Sequence, residues 1–506
     1  MVYRTNGEDY LPNVFSQLFI INADDGAARQ LTQGDFDNQD APAFTTNAKS
    51  VLISANRRAD ADYEPLDSEI YRVDLSDASM HALTDRRGPD LHPVASPDGK
   101  YIAYLGFDDK RLGYQATQLY VMDSDGSHAH SLTPNLDRDA ATPQWTADSR
   151  QLIFKFEDHG SIKIAALDLA GKMRILADDV GGGDITRPYS GGSFSIAAAA
   201  KGANVRFAYT KGAALAPAAL ATGTSAHDIA TLTALSNPLL DQRDLGAVEE
   251  ISFASSVDGR RIQGWIVKPP GFDAARKYPL LLEIHGGPFA GYGPSFAAEI
   301  QFYVAAGYVV LYLNPRGSTG YGEDFADLIH HAYPDNDYGD LMSGVDAVVG
   351  RGYIDPQHLF VTGGSGGGVL TAWIVGHTDR FRAAVVVKPV INWTSFVLTA
   401  DMTNYFYRYW FDGFPWDDVQ SYWKRSPLAY VGNVHTPTML MTGEVDYRTP
   451  SSEAEQFYEA LKLRKVDTAL VRVPNASHDI SARPSLLIDK VAYVLAWFKA
   501  HDVTAQ

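Results

Sequence analysis

Residues Gly363 to Gly367 read G-x-S-x-G, and Ser365 stands between a strand-like and a helix-like apolar run in HLFVTGGSGGGVLTAW, His358 to Trp373. A serine at so sharp a strand-to-helix turn is forced into a strained backbone conformation that only small neighbours tolerate. Its hydroxyl then stands exposed above the sheet edge, as a nucleophile must. In a chain with 43 glycines the pentapeptide alone carries little weight, and a glycine-rich turn without chemistry is the competing reading. The decision rests on whether a base, an acid and oxyanion donors lie where such a serine needs them.

At an elbow of this kind the chain order is Ser, acid, His. The apolar run Pro437 to Met441 reads as a buried strand and leads into Thr442-Gly443-Glu444-Val445-Asp446-Tyr447-Arg448, so Asp446 sits just past a strand end. Thr468 to Val473 reads as the next strand, and Pro474-Asn475-Ala476-Ser477-His478 as the loop beyond it. His478 is the candidate base; His501, the one other histidine after Asp446, falls at the polar end of the terminal helix. The gaps, 446 − 365 = 81 and 478 − 446 = 32 residues, leave room for the intervening strand and helix units. Glu444 is the rival acid. Asp479 is the weaker rival, because a sequence neighbour seldom has the geometry to bond the imidazole Nδ1.

Two backbone N–H groups are expected to hold a developing oxyanion, one from the residue after the nucleophile, Gly366, and one from the loop after an early strand. The run Tyr278 to Ile284 is such a strand and ends in His285-Gly286-Gly287-Pro288, which makes Gly287 the second donor. His285 could equally be a packing residue beneath the site.

The elements that must position these residues follow from the pattern around them. From VEEISFASSVDGRRIQGWIVKPPGF onward, alternating strands with an Asp258-Gly259 turn give way to apolar strands that alternate with helical segments at 301–307, 340–351, 367–376, 452–463 and 485–501. That alternation predicts a doubly wound, mostly parallel sheet over residues 246–506, and the serine elbow with its Ser, acid, His order makes an α/β-hydrolase fold the expectation there. Upstream, three segments beginning at Ala41, His92 and Thr142 share proline, an apolar residue, a polar turn and a strand. Their prolines lie 93 − 42 = 51 and 143 − 93 = 50 residues apart, and a second strand set starting at Gln17, Glu69 and Gln118 interleaves with them. A period near fifty with Asp/Gly turns predicts β-propeller blades, which cannot bury their own faces alone. The repeats blur between Ser161 and Leu245, so residues 1–245 are expected to hold roughly five blades' worth of chain. Because Met1 leads straight into blade-like sequence, an N-terminally truncated propeller is the expectation, and an unclosed one would expose strand edges for another subunit to cover, so a homo-oligomer is left open.

HGGP, NPRGSTGYG at Asn314 to Gly322, GGSGGG, TGEVDYRTP and NASHD together resemble the prolyl oligopeptidase family of serine peptidases, closest to its acylaminoacyl peptidase and dipeptidyl aminopeptidase-like branch. The resemblance runs from Val248 to about Val503. It implies Ser365, Asp446 and His478 as a catalytic triad and Gly287 and Gly366 as oxyanion donors. It further implies that Arg448 contacts a substrate carbonyl, that Tyr405 and Tyr409 build an apolar specificity pocket, and that a propeller caps the site and admits short peptides. Many relatives carry a bulky aromatic after the serine; Gly366 here would widen the pocket or loosen the elbow. A dipeptidyl peptidase of this family needs paired propeller carboxylates for a free substrate amine, whereas Glu64 and Glu69 are single acids and Glu249-Glu250 lies at the domain boundary. The expected activity is thus acylaminoacyl-peptidase-like or general oligopeptidase. A carboxylesterase on the same triad and an inert propeller binding module are the alternatives.

Composition sets the outer limits. With 506 residues, 45% of them hydrophobic, the chain can bury two sizeable cores. A net charge of −18 with no Lys/Arg run argues against nucleic acid, which requires a concentrated basic face. No apolar run reaches membrane-span length, so no membrane partner is expected. As the chain stands the expectation is a cytoplasmic protein, with a periplasmic one if the native N-terminus is longer. Zero cysteines exclude disulfides and thiol catalysis, and His330-His331 lacks an acidic spacing motif, so neither cofactor nor metal is expected.

Overall fold

The apolar runs of the C-terminal half pair into one sheet in the computed structural model, which describes residues 3–12, 14–197 and 205–502. Strands β1 (Ala247–Ala254), β2 (Arg261–Lys268), β3 (Tyr278–Ile284), β4 (Val309–Asn314), β5 (Ile354–Gly364), β6 (Ala383–Val387), β7 (Thr438–Gly443) and β8 (Thr468–Val473) lie in the order β1-β2-β4-β3-β5-β6-β7-β8. The β1-β2 and β2-β4 pairs are antiparallel and all others parallel. Strands β4, β6 and β7 are buried from end to end, because helices cover both faces of a parallel sheet. Side-chain alternation divides each strand between two cores: Leu280 and Leu282 join Val345, Val369 and Phe457 on one face, while Leu281 joins Ile300, Val491 and Phe498 on the other. Helices α2 (Asp337–Val349), α3 (Gly366–His377) and α4 (Ser451–Leu463) cover the first face; α1 (Ala298–Ala305) and α5 (Pro484–His501) cover the second.

The N-terminal half is a β-propeller. Its sheets include two four-stranded antiparallel blades, Asn38 to Ala82 and Asp90 to Ser131, preceded by the two-stranded pair Phe19–Ile21 and Ala28–Gln30. The first strand of each fifty-residue repeat holds a non-glycine residue in the left-handed region just ahead of its proline: Asp40 (φ 63°), His92 (φ 52°) and Thr142 (φ 50°). The pairing register shifts at the same places, as a residue without an N–H requires in a sheet interior. Contacts between blades join residues about one period apart: His92 N–H donates to Asp40 at 2.9 Å and Trp145 Nε1–H to the Val94 carbonyl at 3.0 Å. From Ala140 the fourth and fifth blades run together as one sheet, joined through the single pair Val180 and Lys211.

A strap at residues 184–190 ties the halves together. The carbonyls of Ile185 and Thr186 accept the N–H groups of Ala298 and Glu299 at 2.9 and 3.0 Å, satisfying donors that the first turn of α1 leaves free. Arg187, 7% exposed at its side chain, enters between Glu283 of β3 and Glu299 of α1 at 3.2 and 3.3 Å. On the other side of the cleft, Tyr409 donates to Asp109 at 2.9 Å and Asn404 to the Asp62 carbonyl at 3.0 Å.

Candidate active site

The parallel strands aim their C-terminal ends at one rim, and each candidate residue sits just past such an end. Strand β5 stops at Gly364 and α3 starts at Gly366, leaving Ser365 between them at φ 59°, ψ −122°. A non-glycine residue in such a region costs of order 1–3 kcal/mol, held by its surroundings. Here Ser365 N–H donates to the Val387 carbonyl at 3.0 Å and its own carbonyl accepts from Val369 at 3.0 Å. The flanking glycines are obligatory on steric grounds: a Cβ on Gly363 would lie 2.5 Å from the Gly367 oxygen, and one on Gly367 2.1 Å from the Ile284 oxygen.

Asp446, past β7, is 2% exposed. Its Oδ1 accepts the N–H groups of Arg448 and Thr449 at 3.0 and 2.8 Å, and its Oδ2 lies 2.8 Å from His478 Nδ1. Glu444 pairs instead with Arg472 at 3.3 Å, and Asp479 is exposed to solvent. Of the three acids, Asp446 is the one that engages the imidazole. Burial and the nearby Lys388 ammonium lower the His478 pKa, against the opposing pull of Asp446. The ring is therefore neutral at neutral pH and free to take a proton.

Ser365, Gly287, Gly366, Arg448, Tyr405 and His478 line one cavity of about 390 Å³, walled further by Trp393, Phe396 and Trp410. The two glycine segments meet there, since a Cβ on Gly366 would stand 3.0 Å from the Gly287 carbonyl and from the Tyr333 hydroxyl. Tyr333 donates to the Gly366 carbonyl at 2.7 Å and Gly286 N–H to the Tyr189 hydroxyl at 2.7 Å, fixing both loops. The space next to the nucleophile that an aromatic residue at 366 would need is thus occupied by Tyr333. Tyr409 is placed differently from the sequence expectation: it is 1% exposed and lines a separate small hollow beside Trp410 and His331. His285 is buried, bonded to Ser318 at 2.9 Å, and burial pushes its pKa to about 4.

Several residues at the rim carry no sequence signal. Asp401 binds Arg448 through Nε at 2.7 Å and Nη2 at 3.2 Å, which sets the guanidinium on the cavity wall. Asn6, far away in the chain, donates its N–H to Asp401 at 3.0 Å and accepts the His478 N–H at 2.8 Å. Lys388, at the end of β6, donates to the His478 carbonyl at 2.7 Å. Loss of one such bond is worth about 1 kcal/mol, or roughly fivefold in rate. Asn6→Ala is accordingly expected to lower kcat about three- to tenfold with KM little changed and Asn6→Asp, which keeps the acceptor, to recover part of it in steady-state assays; an unchanged kcat would deny Asn6 a part in placing His478.

The chain is similar to known peptidases over most of its length. A model of the prolyl oligopeptidase family matches residues 294–502. Uncharacterized peptidase YuxL of Bacillus subtilis is 32% identical, the match covering 99% of this chain and 76% of that protein. Dipeptidyl-peptidase 5 of Schizosaccharomyces pombe is 26% identical over 85% of this chain and 61% of its own length. Among solved structures, Pyrococcus horikoshii acylaminoacyl peptidase superposes with a TM-score of 0.81 at 21% identity, covering 98% of this chain and 75% of that one. The chain belongs to the prolyl oligopeptidase family. It is a serine hydrolase of the peptidase class, built from a β-propeller and an α/β-hydrolase fold.

Proposed function

We propose that the protein hydrolyses short peptides through an acyl-enzyme, with Ser365 as nucleophile, His478 as base and then acid, and Asp446 holding the imidazole. The observation that carries this reading is the 2.8 Å bond from Asp446 to His478 at the rim of the cavity that Ser365 lines. His478 takes the Ser365 proton as the oxygen attacks the peptide carbonyl, while Gly287 and Gly366 N–H groups receive the oxyanion. His478 then protonates the leaving amine, and water repeats the sequence on the ester. Arg448 holds a substrate carbonyl beside the scissile bond, and the aromatic wall with Tyr405 takes the side chain on the acyl side. The propeller limits access to short peptides.

An N-blocked substrate is favoured over a free-amine one by the state of the propeller acids. Glu64 already faces Arg408, Arg111 at 3.3 Å and Arg87 at 3.8 Å. Glu69 is half-buried, bonded to Thr84, and burial pushes its pKa up to about 7. Neither is a spare charge for an ammonium group. The activity proposed is therefore acylaminoacyl-peptidase-like or general oligopeptidase.

Fluorophosphonate labelling is the direct test: the protein is expected to label and Ser365→Ala to lose the label completely. Absence of labelling in the folded unmodified protein would make it a binding module. Turnover should be highest on N-acetylated amino-acid amides, lower on free-amine dipeptide amides; turnover of short-chain esters alone would make it an esterase.

A further inference from the structure

Ser365 lines a second cavity, of about 640 Å³, whose other walls include Gly364, Arg187, Lys388, Asp479 and Lys490. The two cavities share no residue except the nucleophile. They lie over opposite faces of the sheet: the first is bounded by Tyr333, Val369 and Trp393 of one core, the second by Leu487 and Lys490 of α5, which packs on the other. A trans peptide places its acyl and amine portions on opposite sides of the scissile bond. With the acyl portion in the aromatic cavity, the leaving amine and whatever follows it point into the second.

The charge of that second cavity is uneven. Arg187 is matched by Glu283 and Glu299, and Lys490 by Glu299 at 2.7 Å. Asp184 is engaged by the N–H and hydroxyl of Thr186, both at 2.7 Å, and Asp479 is exposed to solvent. Lys388 forms no ion pair among the described residues, and its ammonium makes one hydrogen bond there, to the His478 carbonyl. It is also close to the reaction: a Cβ on Gly364, next to the nucleophile, would lie 3.2 Å from Lys388 Cε and 3.1 Å from Arg187 Nη1. The Lys388 backbone is held at φ 43°, a conformation that a lysine adopts only where its surroundings impose it. Burial, together with Arg187 and Lys490, pushes the Lys388 pKa down to about 8 against the pull of Asp446 and Asp479, neither of which pairs with it directly.

We propose that this second cavity is the leaving-group site and that Lys388 there binds the free α-carboxylate of the substrate's C-terminal residue. The inference rests on the peptidase reading above and adds to it: the preferred substrate is a short N-blocked peptide whose scissile bond lies one or two residues from a free C-terminus. The carboxylate supplies the direct ion-pair partner that Lys388 lacks, and a charge-assisted bond is among the stronger kinds.

The test compares kcat/KM for N-acetyl-Phe-Ala with a free carboxylate, the same dipeptide as its carboxamide, and N-acetyl-Phe p-nitroanilide. The unmodified protein is expected to favour the carboxylate over the carboxamide by about tenfold or more. Lys388→Met should bring that ratio close to one, and Lys388→Arg should restore part of it. Because Lys388 also holds the His478 carbonyl, the anilide measures any common loss, which the ratio cancels. A ratio near one in the unmodified protein, or one untouched by Lys388→Met, overturns the inference while leaving the peptidase reading intact. No turnover of any of the three overturns both.

Discussion

Asp446→Asn is expected to cut kcat about 10⁴-fold while leaving the fold in place, the scale that such a change reaches when an asparagine imposes the wrong histidine tautomer. Asp446 receives donors at both oxygens: the Arg448 and Thr449 N–H groups at Oδ1, and the Thr449 hydroxyl at Oδ2, 3.1 Å away, beside His478 Nδ1. An asparagine can keep its oxygen toward the two backbone donors, and its NH₂ then faces Nδ1. The ring must present a lone pair there and carry its proton on Nε2, where it cannot accept the proton of Ser365. The loss is in kcat rather than KM, since nothing in the substrate cavity changes shape. Steady-state kinetics on an N-acetylated amino-acid anilide, with thermal unfolding as the control, gives the reading. A loss below tenfold in a folded variant would remove Asp446 from the mechanism and turn attention to Glu444→Gln. Lys388→Met supplies a companion observation of opposite electrostatic sign: removing a cation that depresses the His478 pKa should move the acid limb of kcat/KM to higher pH.

What could be read from sequence alone has a physical pattern. Ser365, Asp446 and His478 each follow a run of apolar residues that ends at a small or turn-forming one, and parallel strands collect such ends at one rim. The blade repeats were visible because each copy must place its proline, bulge and polar turn alike, as Pro42, Pro93 and Pro143 do. The period fades after Ser161 where backbone replaces side chains in the contacts: a Cβ on Gly181 would lie 2.6 Å from Gly212 Cα, and one on Gly191 2.9 Å from Gly183 Cα. Tyr405 and Tyr409 belong to a helix with an aromatic residue on nearly every side, so spacing could not tell which ring faces substrate. Their rings stack at 4.7 Å, yet Tyr405 reaches the cavity and the Tyr409 hydroxyl reaches the propeller. Asn6, Arg187 and Lys388 were beyond reach for another reason. Each is a single polar residue whose partner lies far away in the chain, and no local pattern announces such a pairing.

Arg187→Met is the substitution with the largest expected effect on stability, because of what it would leave behind. Arg187 and Lys490 face Glu283 and Glu299, all four nearly sealed from solvent, so two cations balance two carboxylates. The partition between the acids is unequal. Burial raises both, yet Lys490 at 2.7 Å, Arg187 and the Tyr303 hydroxyl at 2.8 Å hold Glu299 low, whereas Glu283 is raised. Arg187 Nη2 stands 3.2 Å from Glu283 Oε1 without hydrogen-bond alignment, so Coulomb attraction is the main compensation Glu283 receives. Removing one partner of a buried pair costs about 3–5 kcal/mol, since the other charge stays behind without compensation. The midpoint of urea unfolding should fall accordingly, and the strap at 184–190 should loosen with it. Glu283→Gln added to Arg187→Met removes the stranded charge and is expected to recover at least half of the loss. If the double variant is no more stable than Arg187→Met alone, packing of the arginine stem and not its charge ties the propeller to the hydrolase fold. The sign of the pH dependence separates the two accounts as well. Glu283 has its folded-state pKa raised, so its contribution to stability is present below the unfolded value and is lost as pH rises through the folded one. Without Arg187 that pKa rises further, so the penalty of the single variant should grow as pH rises above about 7, where Glu283 of the unmodified protein has already given up its proton; a penalty independent of pH would again point to packing.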